Sequence, residues 1–116
     1  MKRLKRIHEL LVDIYGCKSN LDDAEFLVAV LEEAAQKMGS TVVKTICHKF
    51  SPTGSTVILI LAETHMSIHT WPEYKYAALD IFVCSEEIDP EVGWRIVRVA
   101  LKPTSFKTSK LVRKIE

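Results

Sequence analysis

Side chains that can attack a carbonyl or move protons are concentrated in one short part of this 116-residue chain. Residues 63–73 read ETHMSIHTWPE, and residues 76–84 read YAALDIFVC. Thr64 offers a hydroxyl nucleophile, and His69 offers an imidazole that can accept or donate a proton. Cys84 carries a thiol whose ordinary pKa of about 8.5 leaves it mostly protonated at neutral pH, as an acid requires. These residue types are suited to nucleophilic and proton-transfer chemistry.

The same side chains also have structural interpretations. His65 and His69 have the HxxxH spacing of a helical zinc site, but the following Pro72 argues against a helix and no third ligand is evident, so we expect no metal site. Taken by itself, His69 is more typical of a hydrogen-bonded structural histidine than of a catalyst. Cys84 by itself fits a buried, unreactive position on a strand.

The strands that position these residues follow from local patterns. Residues 55–62 form an almost unbroken apolar run, which predicts a strand covered on both faces and leads directly into Glu63. In the strand predicted over residues 76–84, side chains alternate, so Cys84 lies with the polar set and the other face is apolar. We therefore expect one buried face and one face that carries a site.

The whole chain divides into alternating elements without a linker. We predict strands at about residues 7–15, 41–50, 55–62, 64–71, 76–84 and 104–112, and helices at about residues 21–38 and 90–102. This order favours an antiparallel or mixed sheet with both helices packed on one face. The predicted fold class is α/β (α+β), a two-layer sandwich.

The helix boundaries rest on capping residues. Asn20 is predicted to cap the first helix, and Asp89 followed by Pro90 is predicted to start the second. Apolar residues at helical spacing predict the buried stripe of the first helix: Leu21, Ala24, Val28, Leu31, Ala35 and Met38.

Composition bounds the class of protein. Hydrophobic residues make up 47% and charged residues 27%, as in an ordinary globular domain, so residues 1–116 are predicted to form one domain. The net charge of +1 gives no argument for a nucleic-acid partner. No stretch approaches the ~20 apolar residues of a membrane helix, so we expect a cytoplasmic protein with no membrane partner. Three cysteines without CxxC spacing indicate neither disulfides nor zinc.

Residues 63–84 closely resemble the self-processing site of the small prokaryotic (class 1B-like) S-adenosylmethionine decarboxylase proenzymes. In that family a Glu-Ser bond cuts itself, a histidine in an IHTWPE block drives the cut, and a cysteine after a YAA block serves catalysis. The resemblance implies cleavage between Glu63 and Thr64, giving a β chain of residues 1–63 and an α chain of residues 64–116. It also implies that His69 and Thr56 assist the cut.

The resemblance implies a self-derived covalent cofactor, without metal or pyridoxal phosphate. The Thr64 hydroxyl attacks the Glu63 carbonyl, the resulting ester breaks by β-elimination, and the enamine left behind hydrolyses to a keto group. Serine would give a pyruvoyl group, whereas Thr64 gives 2-oxobutanoyl. The carbonyl then forms a Schiff base with the substrate amine and accepts electrons as CO2 leaves. Cys84 returns a proton to carbon.

The implied activity is decarboxylation of S-adenosylmethionine for spermidine and polyamine biosynthesis, by a homodimer whose sheets and active sites lie near the subunit interface. Phe50 corresponds to an aromatic that stacks on adenine, and Glu73 to an acceptor for the ribose hydroxyls. Three departures leave alternatives open, because Thr64 replaces Ser and both Lys75 and Ser85 replace Gly. The alternatives are a pyruvoyl-type arginine or ornithine decarboxylase of the same fold, and an unprocessed, non-catalytic precursor or regulatory subunit.

Overall fold

A computed structural model of the chain describes residues 5–84 and 86–115. The described residues form β1 (Lys5–Tyr15), α1 (Ala24–Met38), β2 (Val42–Lys49), β3 (Ser55–Leu61), β4 (His65–Trp71), β5 (Tyr76–Val83), α2 (Pro90–Leu101) and β6 (Ser105–Ile115). A short 3-10 helix (Pro72–Tyr74) joins β4 to β5. The strands form one sheet in the order β2-β3-β4-β5-β1-β6, and all neighbours are antiparallel. The predicted two-layer sandwich is confirmed, with the sheet antiparallel rather than mixed.

Both helices pack on one face of the sheet and bury it. Alternate side chains of the central strands form this core, together with the inner faces of α1 and α2. The strand residues buried there include Leu10, Val12, Ile14, Val57, Leu59, Met66, Ile68, Leu79 and Ile81. We call the opposite side, which no helix of the described residues covers, the open face. None of these helices is long and apolar enough to cross a membrane.

The prediction that β3 is covered on both faces is wrong within this chain. Its side chains alternate between buried and more exposed positions, and Ile60 on the open face is 38% exposed. The apolar run on β3 therefore leaves part of its hydrophobic surface uncovered in a single chain.

The first helix starts later than predicted. Asp23, not Asn20, is the N-cap, because its carboxylate accepts a hydrogen bond from the Phe26 N–H at 3.1 Å. Asn20 instead accepts from the Asp22 N–H in the preceding turn. The buried stripe is also wider than the predicted one, since α1 packs against both the sheet and α2; it comprises Leu27, Val30, Leu31, Ala34, Ala35 and Met38, while Ala24 and Val28 are half-buried.

The second helix begins as predicted, with Asp89 accepting a hydrogen bond from the Glu91 N–H at 2.9 Å and Pro90 in the first turn. Gly93 lies where α2 crosses α1, and an added Cβ would stand 2.5 Å from Met38 Sδ. The last strand is longer than predicted, because β6 stays paired with β1 from Ser105 through Ile115.

Candidate active site

Three rows of side chains cross the open face, each made by directly paired residues of neighbouring strands. The first row is Lys44, Ile60, His65, Phe82, Glu9 and Leu111. The middle row is Ile46, Ile58, Ser67, Asp80, Leu11 and Ser109. The third row is His48, Thr56, His69, Ala78, Asp13 and Lys107. Two strand residues separate successive rows, so the rows are about 7 Å apart.

The predicted cleavage bond between Glu63 and Thr64 lies in the tight turn from β3 to β4, at the end of the sheet nearest the first row. The Leu61 N–H donates to the Thr64 carbonyl at 2.8 Å and closes the turn. The Ala62 N–H donates to the Thr41 carbonyl at 2.9 Å and ties the turn to the start of β2. Glu63 is exposed and Thr64 is half-buried, so the bond is held in place while one side of it is accessible.

Cys84 lies beside this turn. It directly follows β5, whose Phe82 is paired with His65 at the start of β4, so the end of β5 reaches the β3–β4 turn. The Cys84 thiol is 3.7 Å from a carboxylate oxygen of Glu63, within the range of a weak S–H···O hydrogen bond. The thiol is half-buried. The structure thus brings together Glu63, Thr64 and Cys84, which we call the turn group.

The other predicted residues meet at the opposite end of β4. His69 Nδ1 is hydrogen-bonded to the Thr56 hydroxyl across the β3–β4 pair. The His69 ring also lies 4.1 Å from the Trp71 ring and 5.2 Å from the Phe50 ring, centroid to centroid. These contacts hold the imidazole in one orientation on the open face.

Glu73 lies close to this end, in the 3-10 helix that follows β4. Its carboxylate accepts a long hydrogen bond of 3.4 Å from the Thr53 hydroxyl, in the turn after Phe50. Phe50 is 40% exposed and Glu73 is exposed, so both side chains can reach a ligand. We call Phe50, Thr56, His69 and Glu73 the histidine group.

The two groups do not meet within one chain. His69 follows His65 by four strand residues, which is about 14 Å at 3.4 Å per residue, and Thr64 is one residue further away. The two groups nevertheless lie along the same strand, one near each end of β4. The same separation prevents His65 and His69 from sharing a metal ion. No group of three or more possible metal ligands is present in the described part of the chain.

A polar contact that the sequence analysis missed supports the histidine group. The Tyr76 hydroxyl donates to the Asp13 carboxylate at 2.6 Å, and the Tyr76 ring lies 5.2 Å from Trp71. Burial, followed by the hydrogen bond to Asp13, raises the pKa of Tyr76 to about 12. The partners are 63 residues apart in sequence, so no local pattern links them. The signal in the sequence was that Tyr76 alternates with the apolar residues of its strand and so belongs to the polar face.

A cavity of about 200 Å³ adjoins Thr64 on the helix side and is lined by Ser40, Thr41, Glu63, Thr64 and Glu87 among others. This volume far exceeds the space of one methyl group, so the larger acyl group that Thr64 would yield fits beside the turn. The Thr64 hydroxyl and the adjacent Glu63 carbonyl therefore lie next to open space.

One departure from the family pattern has a structural explanation, and another lies outside the described residues. Lys75 has a φ of +52°, in the left-handed region that favours glycine. Its carbonyl accepts from the Cys17 N–H at 3.0 Å, and its N–H donates to Pro72, so the turn keeps this conformation despite the side chain. Ser85 lies outside the described residues.

Comparisons with known proteins agree over nearly the whole chain. The model of the S-adenosylmethionine decarboxylase family matches residues 8–114. The chain is 43% identical over 107 residues to the S-adenosylmethionine decarboxylase proenzyme of Methanococcus aeolicus, covering 91% of this chain and 90% of that one. It is 44% identical over 103 residues to the proenzyme of Brevibacillus brevis, covering 88% and 77%.

A solved structure shows the same fold. The crystal structure of the adenosylmethionine decarboxylase from Aquifex aeolicus superposes with a TM-score of 0.82 at 29% identity, covering 99% of this chain and 95% of that one.

Proposed function

This chain belongs to the S-adenosylmethionine decarboxylase family, and we propose that it cuts itself at Thr64 and then decarboxylates S-adenosylmethionine. The observation that carries the proposal is the turn group, in which the Cys84 thiol lies beside the Glu63–Thr64 bond. A nucleophilic hydroxyl, the carbonyl that it must attack and an acid for the later reaction thus share one end of the sheet.

The self-cleavage uses only groups of the chain and one water. The Thr64 oxygen bonds to the Glu63 carbonyl carbon, the C–N bond breaks, and the freed nitrogen takes the hydroxyl proton. Loss of the Thr64 α-proton then expels the Glu63 carboxylate from the β-carbon. Water replaces the nitrogen, which leaves as ammonia, and position 64 becomes a 2-oxobutanoyl group. The base that removes the α-proton is His69, hydrogen-bonded to Thr56, of a second copy of the chain.

The remaining predicted residues act on the substrate. Phe50 offers an exposed ring for the adenine, and Glu73 offers a carboxylate for the ribose hydroxyls. The keto-acyl group supplies an electron sink for loss of CO2. Cys84 donates the proton that carbon then needs, and its half-buried position limits competition from water.

We further propose a homodimer in which the open faces of two copies pack against each other. Within one chain, the distance from the turn group to the histidine group is about 14 Å or more. This is too far for His69 to reach the α-proton of its own Thr64. A two-fold axis through the middle row would set the turn group of one copy against the histidine group of the other. The same packing would cover Ile46, Ile58 and Ile60.

Decarboxylated S-adenosylmethionine is an aminopropyl donor, so we place the enzyme in spermidine and polyamine biosynthesis in the cytoplasm. Within the described residues, Cys17, Cys47 and Cys84 form no disulfide with one another, as a reducing compartment favours.

Intact-mass measurement of the denatured protein tests this function. We expect fragments 1–63 and 64–116, the second lighter by one ammonia than a simple hydrolysis product. S-adenosylmethionine, arginine and ornithine are then supplied and CO2 release is measured, with the first expected as the substrate. A single uncut chain after long incubation would contradict self-processing at Thr64 and favour an unprocessed, non-catalytic precursor. Release of CO2 from arginine or ornithine alone would contradict the substrate.

A further inference from the structure

His65 lies next to the reacting position, but neither the cleavage nor the later proton transfer uses it. It is the first residue of β4 and directly follows Thr64, so after cleavage its backbone nitrogen carries the acyl group. Its side chain is exposed on the open face, in the first row. An imidazole at this position is within reach of whatever binds at residue 64.

One aromatic contact positions the His65 ring, and a second one supports its partner. It stacks on Phe82 at 4.9 Å between centroids, with 17° between the ring planes. Phe82 is in turn faced by the Arg113 guanidinium at 5.9 Å, and Arg113 Nε lies 2.8 Å from the Glu9 carboxylate. The stacking therefore restricts rotation of the imidazole and holds it beside the turn group.

Acidic side chains lie close to the ring. Asp80 lies in the middle row, where burial raises the pKa of its carboxyl group and the nearby His65 only partly offsets that rise. The nearby Glu9 acts in the same direction as burial, so the net pKa of Asp80 is raised.

The other basic side chains of the first row are less well placed. Lys44 is on the edge strand, two strands from β4 and so about 10 Å away at 4.8 Å per strand. Arg113 is already paired with Glu9. Among the described side chains of this row, His65 is thus the basic group adjacent to position 64.

From this placement we propose that His65 recognises the α-carboxylate of the substrate, an inference that rests on the proposed function. An amino acid bound through its amine at position 64 carries its carboxylate carbon only two bonds beyond that nitrogen. A carboxylate that turns toward the open face would therefore meet the ring that follows position 64 in sequence. A charge-assisted hydrogen bond from the imidazole would hold it and select substrates that carry a carboxylate over those that do not.

The test compares His65→Gln with its parent in a Thr64→Ser background, which restores the residue usual for self-cleavage. His65→Gln should raise the KM for S-adenosylmethionine about tenfold, as expected when a charge-assisted hydrogen bond is lost. Inhibition by the decarboxylated product, which has no carboxylate, should change less than twofold. His65→Lys, which keeps a cation, should recover part of the difference, and His8→Gln on the helix-covered face is the matched control.

Three results would overturn the carboxylate role. The first is equal weakening of substrate and product, which would indicate a packing role for the ring. The second is no change in either ligand. The third is a His65→Gln chain that stays uncut, which would assign His65 to processing. Failure of the proposed function itself looks different, because the Thr64→Ser parent would then remain uncut or release no CO2.

Discussion

At the scale of single residues, replacing His69 should impair self-cleavage, whereas replacing Cys84 should impair only decarboxylation. His69→Ala should leave the chain uncut or slow the cut by about 10²- to 10⁴-fold, the usual contribution of a positioned base. Cys84→Ala should still produce both fragments but lose decarboxylation, because its proton is needed only after CO2 leaves. Denaturing gels follow the cut, and CO2 release follows the reaction. If Cys84→Ala also remains whole, its thiol belongs to processing.

Tyr76 should make stability depend on alkaline pH. Its pKa is raised from 10 to about 12 in the folded state, so between these values the folded chain binds more protons than the unfolded one. The contribution is complete below about pH 10 and is lost as the pH rises toward 12. Urea unfolding across this range should show a steeper loss of stability for the natural chain than for Tyr76→Phe.

The contrast between these two chains isolates Tyr76 from the other tyrosines and the lysines, which are common to both. Identical slopes for the two would mean that the hydroxyl bound to Asp13 has the same proton affinity in the folded and unfolded states.

At the scale of elements, the crossing of the two helices depends on Gly93. Alanine is favoured over glycine in a helix by about 1 kcal/mol, yet a Cβ here would stand 2.5 Å from Met38 Sδ and 3.3 Å from Ile81 Cδ1. Because all of these are in the packed layer, Gly93→Ala should lower the free energy of unfolding by about 1–3 kcal/mol.

A double-mutant cycle with Met38→Ala checks the cause. The two changes should be less than additive, since removal of the Met38 side chain frees the space that the new methyl needs. Additive losses would show that the glycine matters for some reason other than this contact.

The turn between β4 and β5 should tolerate glycine better than lysine. Lys75 has a φ of +52°, a region in which a Cβ destabilises the folded state by about 1–2 kcal/mol. Glycine avoids this strain but loses more conformational entropy on folding. The net expectation is that Lys75→Gly stabilises the fold by about 1 kcal/mol, measured by urea unfolding. Lys75→Ala, which keeps the Cβ, is the matched control; if it stabilises equally, strain at this φ is not the cause.

At the scale of the whole molecule, a site assembled from two copies makes a prediction that one-chain cleavage does not. Thr64→Ala lacks the nucleophile, and His69→Ala lacks the base, so each chain alone should stay uncut. Mixed dimers contain one complete pairing, in which His69 of the Thr64→Ala chain faces Thr64 of the His69→Ala chain. Co-expressed with distinguishable tags, only the His69→Ala chain should be cut.

Cleavage of neither chain in mixed dimers that do form would contradict the shared site. Ile58→Lys in the middle row provides an independent check, since a charge at the centre of the packed faces should give monomers that do not process. Sedimentation distinguishes these monomers from dimers.

Short-range patterns in the sequence determined most of the elements, and the motif shared with the family identified the residues of the turn group. Alternation along β4 and β5 placed His69 and Cys84 on the polar side, and Asp89 with Pro90 located the start of α2. These features depend on neighbours a few residues apart, where side-chain direction and capping are decided by local backbone geometry.

Only the tertiary structure decided how those parts lie relative to one another. Antiparallel pairing of β3 with β4 put the Glu63–Thr64 bond at one end of a strand and His69 at the other, so proximity in sequence did not become proximity in space. The layer arrangement left one face of β3 open, and pairing across 63 residues joined Tyr76 to Asp13. The pairing register of the strands and the choice of which sheet face is covered both arise from contacts between distant segments. The local patterns of the sequence do not specify them.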